Sequence, residues 1–295
     1  MTASLLIQTL IAGVANGCIY ALIGMGISVV FRGSQVINAM QGEFCVIAGI
    51  VAALLMKIRD WPYPLAILAG CVIGFVLGGL IEMLLVRPMI RRRASEDSFL
   101  LLTIGLAVAG SASVLYLAGR DGHLLPELGA QGVFLIADAV LREHIVWLVL
   151  AAAAIAGVLL AFFKFTTLGL AMTAAAIDAD GAASNGIDVP RMRTLTFALG
   201  GLLGAVAGIL LAPLYSVSFS IGFGLTLKGF AAAILGGLSN PLGAVAGGVL
   251  LGLVEALSVM SISSAYSDAI AMALLIAVMI LAPHGLLGRK GRSGG

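Results

Sequence analysis

Charge is what this 295-residue chain has least of: Asp, Glu, Lys and Arg make up only 10% of it, against about 25% in soluble domains. A water-facing globule of this size needs a charged surface, so a soluble fold is excluded. The net charge is +2, and no Lys/Arg stripe is interleaved with aromatics, which excludes a nucleic-acid surface. There are three cysteines. Cys18, Cys45 and Cys71 each sit inside an apolar run without the paired spacing of disulfide or metal chemistry, and read as small buried hydrophobes. The three histidines, His123, His144 and His284, are scattered and form neither a metal set nor a catalytic constellation. No nucleophile–base pair stands out, so the expectation is a chain with no catalytic residue and no metal. The phosphate loop G-x-x-x-x-G-K-[ST] is also missing, so the chain does not itself cradle nucleotide phosphates.

What is present is apolar length. Hydrophobic residues make up 61% of the chain, with a mean hydropathy of +1.16. The runs do not alternate, so helices rather than barrel strands satisfy the backbone in lipid. A hydrocarbon core about 30 Å thick takes about 20 residues of helix. Such runs fall near 5–31, 37–56, 63–86, 98–118, 145–163, 194–212 and 266–283. The first is too long for a signal-peptide core and reads as a retained helix. A further apolar stretch, 224–262, is broken by Gly236-Gly237-Leu238-Ser239-Asn240-Pro241-Leu242-Gly243. This cluster predicts a helical hairpin that either spans twice or re-enters. The expected fold is all-α: one polytopic transmembrane bundle over 1–295, with about 7–9 spans by the length rule.

Basic residues orient it. Arg32, the Arg87/Arg91/Arg92/Arg93 cluster, Lys164, Arg191, Arg193 and the tail Arg289, Lys290 and Arg292 belong on the cytoplasmic side. Lys57, Arg59, Arg120 and Arg142 fall on the other. This places the N-terminus outside, the C-terminus inside, loop 119–143 outside and loop 164–193 in the cytoplasm, provided that 224–262 crosses an even number of times. Glycines four apart, as in Gly70/Gly74/Gly78 and Gly200/Gly204/Gly208, read as close helix-packing faces.

Polar residues inside spans are costly and therefore informative. Asn38, Gln41, Gly42 and Glu43 open the second span, where they read either as a pathway or gate or as a hydrated helix cap. Lys228 in an apolar stretch needs a carboxylate, and Glu255 on the other arm of the hairpin is a candidate ion-pair partner. Glu82 reads as an interfacial partner of the Arg87 cluster, and Asp268 as a solvated group near the outer end. The loop after Thr166 is helix-rich yet too polar to span. Its carboxylates Asp178 and Asp180 and its Asn185-Gly186 stop predict a surface helix, which either docks in a groove of a soluble partner or lies on the headgroups.

Beyond these readings, several motifs together resemble the Liv-type permeases of bacterial branched-chain amino acid ABC importers. They are Tyr20-Ala-Leu, Ile37-Asn38 before Gly42-Glu43, Arg87-Pro88, Thr103-Ile-Gly-Leu, Thr167-Leu-Gly-x-x-Met, Gly186-Ile-Asp, Phe197-Ala-Leu-Gly, Lys228-Gly-Phe-Ala-Ala-Ala-Ile-Leu-Gly-Gly-Leu, Pro241-Leu-Gly-Ala, Gly252-Leu-Val-Glu-Ala and Pro283-x-Gly-Leu-Leu-Gly. The likeness runs over nearly the whole chain. It implies a bacterial inner-membrane permease subunit that pairs with a second homologous permease, two cytoplasmic ATP-binding subunits carrying ATP and Mg, and a periplasmic solute-binding protein. It also makes 168–186 the coupling segment, with Leu168, Gly169, Met172, Asp178, Asp180 and Gly186 as coupling residues. Two positions depart from the pattern: Thr173-Ala174 stands where the family usually has Arg-Ala, and Gln41 where it has His. The resulting expectation is an importer permease for a branched-chain amino acid or a related amino acid, amide or organic acid. The competing reading is a stand-alone ion-coupled transporter or channel using Glu43, Lys228, Glu255 or Asp268.

Overall fold

The computed structural model describes residues 3–127, 132–136, 139–261, 266–281 and Gly285. The basic tail 289–292, His284 and most of the Pro283–Gly288 ending lie outside the described residues, as does the side chain of Asp268.

The chain is an all-α bundle. Its helices are α1 (Ala3–Ser34), α2 (Gln41–Arg59), α3 (Tyr63–Ile81), α4 (Arg87–Arg91), α5 (Glu96–Ala118), α6 (Glu143–Phe165), α7 (Thr167–Ile177), α8 (Ala179–Ser184), α9 (Val189–Leu211), α10 (Gly222–Gly236), α11 (Pro241–Ser261) and α12 (Ser267–Leu281). Among the described residues, seven helices are long and apolar enough to cross a membrane: α1, α2, the α3–α4 unit, α5, α6, α9 and α11. One antiparallel hairpin, β1 (Val133–Ile136) with β2 (Ala139–Arg142), interrupts the loop between α5 and α6.

Two expectations about spans are refined. Of the run 266–283 the described residues form the 15-residue α12, residues 282 and 283 lying outside them, and α11 from the broken stretch meets the length rule. The second span starts at Gln41 rather than 37, because residues 36–38 are non-helical.

Between α3 and α4 the backbone widens into a π-helical turn, Glu82–Val86, in which the Arg87 N–H reaches the Glu82 carbonyl. Pro88 follows directly. Its ring clashes with the carbonyl four residues back and it has no N–H to donate, so one extra residue in the turn lets the helix pass the proline without breaking.

The bundle is organised around α1. In its apolar window 83% of residues are buried, against 17% for α5, so α1 is the central post and α5 a peripheral stave. The small-residue faces meet as their spacing requires. Gly13 and Gly17 of α1 abut Gly252 and Gly248 of α11, Gly74 and Gly78 of α3 abut Gly201 and Phe197 of α9, and Gly208 of α9 abuts Cys45 of α2. Cys18 and Cys45 are buried as free thiols, and Cys71 is half-buried. These pairings run α1 and α11 antiparallel, with Arg32, Lys164, Arg191, Arg193 and the Arg87–Arg93 segment gathered at one end, hereafter the arginine-rich end.

At the opposite end the α5–α6 loop is stitched to the α9–α10 connection. His123 and Val217 exchange backbone hydrogen bonds of 2.9 and 2.8 Å, and the Leu125 N–H donates to the Ala212 carbonyl at 3.2 Å. The 212–221 segment thereby turns back into the bundle before α10 begins.

Candidate functional site

Two helices start inside the bundle, and their starts meet. Gln41, the first residue of α2, packs against Gly26 of α1 and Gly200 of α9. Gly26 lies about 12 Å from the end of α1 at 1.5 Å per residue, so the N-terminus of α2 is well below the surface. Gly222, the first residue of α10, lies against Gly42 and Glu43. From this junction α2 runs to one end of the bundle and α10 to the other.

The donors of a helix's first turn lack partners within the helix, and here one of them, on Gly42, is answered across the junction. The Gly42 N–H donates to Thr226 Oγ1 at 2.8 Å, and that hydroxyl donates to the Gly222 carbonyl at 3.1 Å. Gln41 Nε2 donates to the Gly200 carbonyl at 2.7 Å. Asn38 Nδ2 donates to Gln41 Oε1 at 3.4 Å, while Asn38 Oδ1 accepts from the Met40 N–H at 3.0 Å. Asn38 thus closes the turn before α2, and Gln41 ties the turn to α9. The N-cap of α2 is Met40, with no side chain capping it, so Asn38 acts on the turn rather than on the helix start. Neither the turn nor a cap accounts for Glu43. That carboxylate is buried, its Oε2 has no hydrogen-bond partner among the described residues, and the missing Cβ of Gly222 leaves the room it occupies. Glu43 also lines a cavity of about 310 Å³ with Ser111 of α5 and Phe219, Ser220 and Phe223 around the start of α10. Ser111 Oγ donates to the Phe219 carbonyl at 2.9 Å, joining α5 to this wall.

A second polar cluster lies between α1, α10 and α11. Lys228 Nζ is 2.7 Å from Glu255 Oε1, so the sequence-predicted partners do meet. The ammonium also stands 3.4 Å from the Tyr20 hydroxyl and 5.4 Å from the centroid of its ring.

A third cluster extends the one read in the sequence. Glu82 does pair with Arg87, and it holds further partners besides. It is fully buried on the π-helical turn and accepts from Arg87 at 3.1 Å, Arg193 at 3.0 Å and Thr194 Oγ1 at 2.6 Å. It clamps α3 and α4 to the start of α9. Arg193 was read in the sequence only as a cytoplasmic-side charge, and Thr194 only as the start of a span. A basic residue near the start of an apolar helix, where it opposes the helix dipole, was the available signal for a buried partner.

The 168–186 segment is two helices rather than one. Asp178 leaves helical geometry (φ −145°, ψ 99°) and its side chain accepts from the Gly181 N–H, so it caps α8. Thr166 caps α7 in the same way through the Gly169 N–H at 3.0 Å. Gly169 abuts Phe162 and Phe163 of α6, and Met172 is buried. Leu168, Leu170 and Ile177 are exposed, and α7 carries no charged residue. Asp180 is exposed in the first turn of α8. Gly186, at φ +82°, turns the chain toward α9, where Asp188 accepts from the Arg191 N–H.

Comparison with known proteins agrees with this architecture. Residues 9–281 match the family model described as branched-chain amino acid transport system / permease component. The chain is 33% identical to the high-affinity branched-chain amino acid transport system permease protein LivH of Salmonella typhimurium, over 96% of each chain. It is 30% identical to the corresponding permease protein BraD of Pseudomonas aeruginosa, again over 96% of each. It is also 25% identical to the ribose import permease protein RbsC of Haemophilus influenzae, over 91% of this chain and 81% of that one. A deep junction of helix starts, a buried charge pair and an all-helical membrane bundle thus coincide with a family match along almost the whole length, and the chain belongs to the branched-chain amino acid transport system permease family.

Proposed function

We propose that this permease is one of two membrane subunits of an ATP-driven importer in the bacterial inner membrane. It lets a small amphipathic solute of the amino-acid class pass beside the α2–α10 junction, and it draws energy from two cytoplasmic ATP-binding subunits. The observation that carries this reading is the junction itself. Two half-depth helix starts, a buried carboxylate with an open oxygen and an adjoining cavity form a polar break inside an apolar bundle, the arrangement that solute pathways use where lipid cannot reach.

The arginine-rich end faces the cytoplasm by the positive-inside rule, so the N-terminus is outside. The same orientation puts α7 and α8 where ATP-binding subunits dock. There Gly169 and Met172 anchor α7 to α6, and Leu168, Leu170 and Ile177 offer an apolar contact. Asp178 and Gly186 set the angles at which the two short helices leave the bundle. The second permease packs on the exposed side of α5, where Leu101, Val108, Tyr116 and Leu117 are all more than 60% exposed. The open end, near Tyr215 and His123, receives solute from a periplasmic binding protein.

The test is isolation of the tagged chain from native membranes in mild detergent, then reconstitution in proteoliposomes. The expected result is co-purification of ATP-binding subunits and uptake that requires internal ATP. Uptake by the chain alone, driven by an ion gradient, would overturn the reading in favour of a secondary transporter.

A further inference from the structure

We propose that the cavity at the arginine-rich end, between α1, α6 and the start of α11, is a binding site for an anionic glycerophospholipid. Arg32 and Lys164 hold its phosphate, and an acyl chain lies along the outer face of α6. The site concerns the bilayer around the chain and is independent of the solute that the chain carries.

The cavity measures about 320 Å³, and its lining includes Arg32 and Lys164 but no acidic side chain. Both cations stand in the last turn of their helices, where positive charge answers the negative end of the helix dipole. That accounts for the sign of the charge at each helix end, but not for the space the two charges face. Arg32 is half-buried, and its guanidinium lies 4.8 Å from the centroid of the Phe163 ring. The ring face attracts the charge, yet the five N–H donors of the guanidinium find no hydrogen-bond acceptor and no carboxylate among the described residues. Lys164 is exposed, stands 5.3 Å from the centroid of the Phe165 ring, and likewise has no acidic partner among them. Nor does the chain's own ending bring a counter-charge. Gly285 abuts Gly237 and Ile234, just ahead of Asn240 in the cavity wall, and the sequence after it contains no Asp or Glu.

The cavity therefore asks for a compact anion with several acceptor oxygens, and a phosphate matches the fork of a guanidinium. The rest of the wall asks for hydrocarbon. Leu159, Leu160 and Leu242 line the same space. Leu160 is exposed and lies about 7.5 Å before the end of α6 at 1.5 Å per residue, so the wall continues to the depth of acyl chains. In the apolar window of α6 only 22% of residues are buried, and Leu150, Val158 and Leu160 are exposed on it, so the cavity opens on a helix that faces lipid. Basic pockets between membrane helices recognise anionic head groups in this way. A free phosphate would leave the leucine wall unused. A choline or ethanolamine head would bring an ammonium into a cavity that has two cations and no carboxylate.

The experiment is native mass spectrometry of the full chain, purified in mild detergent with the subunits that accompany it. It is titrated with phosphatidylglycerol and, separately, with phosphatidylcholine of the same acyl chains. The expected result is one saturable phosphatidylglycerol site that binds about tenfold or more tighter than phosphatidylcholine and is not displaced by excess inorganic phosphate. Arg32→Gln/Lys164→Gln should weaken it by about tenfold or more. Arg91→Gln/Arg92→Gln removes two exposed charges from the same end outside the cavity and should leave the affinity unchanged. Should the first variant fail to assemble, Lys164→Glu, at an exposed position, sets a carboxylate against the phosphate and should weaken binding as far. Equal affinity for the two lipids, unchanged binding in the cavity variants or an equal loss in the Arg91/Arg92 variant overturns the proposal. So does displacement by inorganic phosphate, which would make this a free-anion site. Binding that appears only once ATP-binding subunits are stripped away would give the cavity to an acidic surface of those subunits, and overturns it as well.

Discussion

Gly42 in the first turn of α2 rests directly on the backbone carbonyl of Gly222 at the start of α10. A methyl group on Gly42 would collide with that carbonyl and press on Thr226 Oγ1 at 2.7 Å. The approach lets Thr226 answer the Gly42 N–H, and it puts Glu43 beside the opening of α10.

Gly42→Ala should therefore be strongly damaging. Overpacking against backbone costs about 1–3 kcal/mol, and here it would also separate the two helix starts. Thermal melting in detergent should show a lowered midpoint and transport should fall by an order of magnitude. Gly224→Ala, in the first turn of α10 but with nothing among the described residues within 4 Å of the added atom, should behave as unmodified protein.

Gly222 and Glu43 should interact in a double-mutant cycle. A Cβ at Gly222 would meet the Glu43 carboxylate, so Gly222→Ala alone should destabilise the protein. Adding Glu43→Ala makes room, and the melting temperature should recover. If Glu43 serves the pathway, transport stays lost in the double variant. Recovery of both would show that Glu43 only fills space.

Glu82→Ala removes the shared carboxylate of Arg87 and Arg193 and leaves two partly buried guanidinium groups without their counter-charge, Arg87 keeping only the neutral Pro190 carbonyl and Thr194 hydroxyl. Breaking a buried ion pair from one side costs about 3–5 kcal/mol, so the variant should yield little folded protein by size-exclusion fluorescence. Arg191→Ala breaks only the exposed pair with Asp188 and should change stability by less than about 1 kcal/mol.

Asp178 separates two roles for the α7–α8 corner. Asp178→Asn keeps an acceptor for the Gly181 N–H and removes the charge, while Asp178→Ala removes both and costs about 1 kcal/mol of capping. If the corner acts by its angle, ATP hydrolysis stays coupled to uptake in Asp178→Asn and is uncoupled in Asp178→Ala. Uncoupling in both variants would point to a contact of the charge with the ATP-binding subunits.

Composition by itself determined that this is a membrane protein made of helices. With so little charge and such long apolar runs, only helices that satisfy their own backbones are admissible in lipid. Run lengths gave most spans, and the small-residue spacing marked the faces that pack. The pairing of Lys228 with Glu255 was also legible, because a lone ammonium in an apolar stretch demands a carboxylate and few were available. Only the tertiary structure decided where the polar residues stand. That α2 begins deep beside α10, that Glu82 gathers Arg193 and Thr194 as well as Arg87, and that the 168–186 segment packs on α6 as two helices divided at Asp178 were decided by the packing of segments along and across the chain. A one-dimensional pattern carries the energetic cost of a buried polar group, but the group that compensates it is set by the packing of helices.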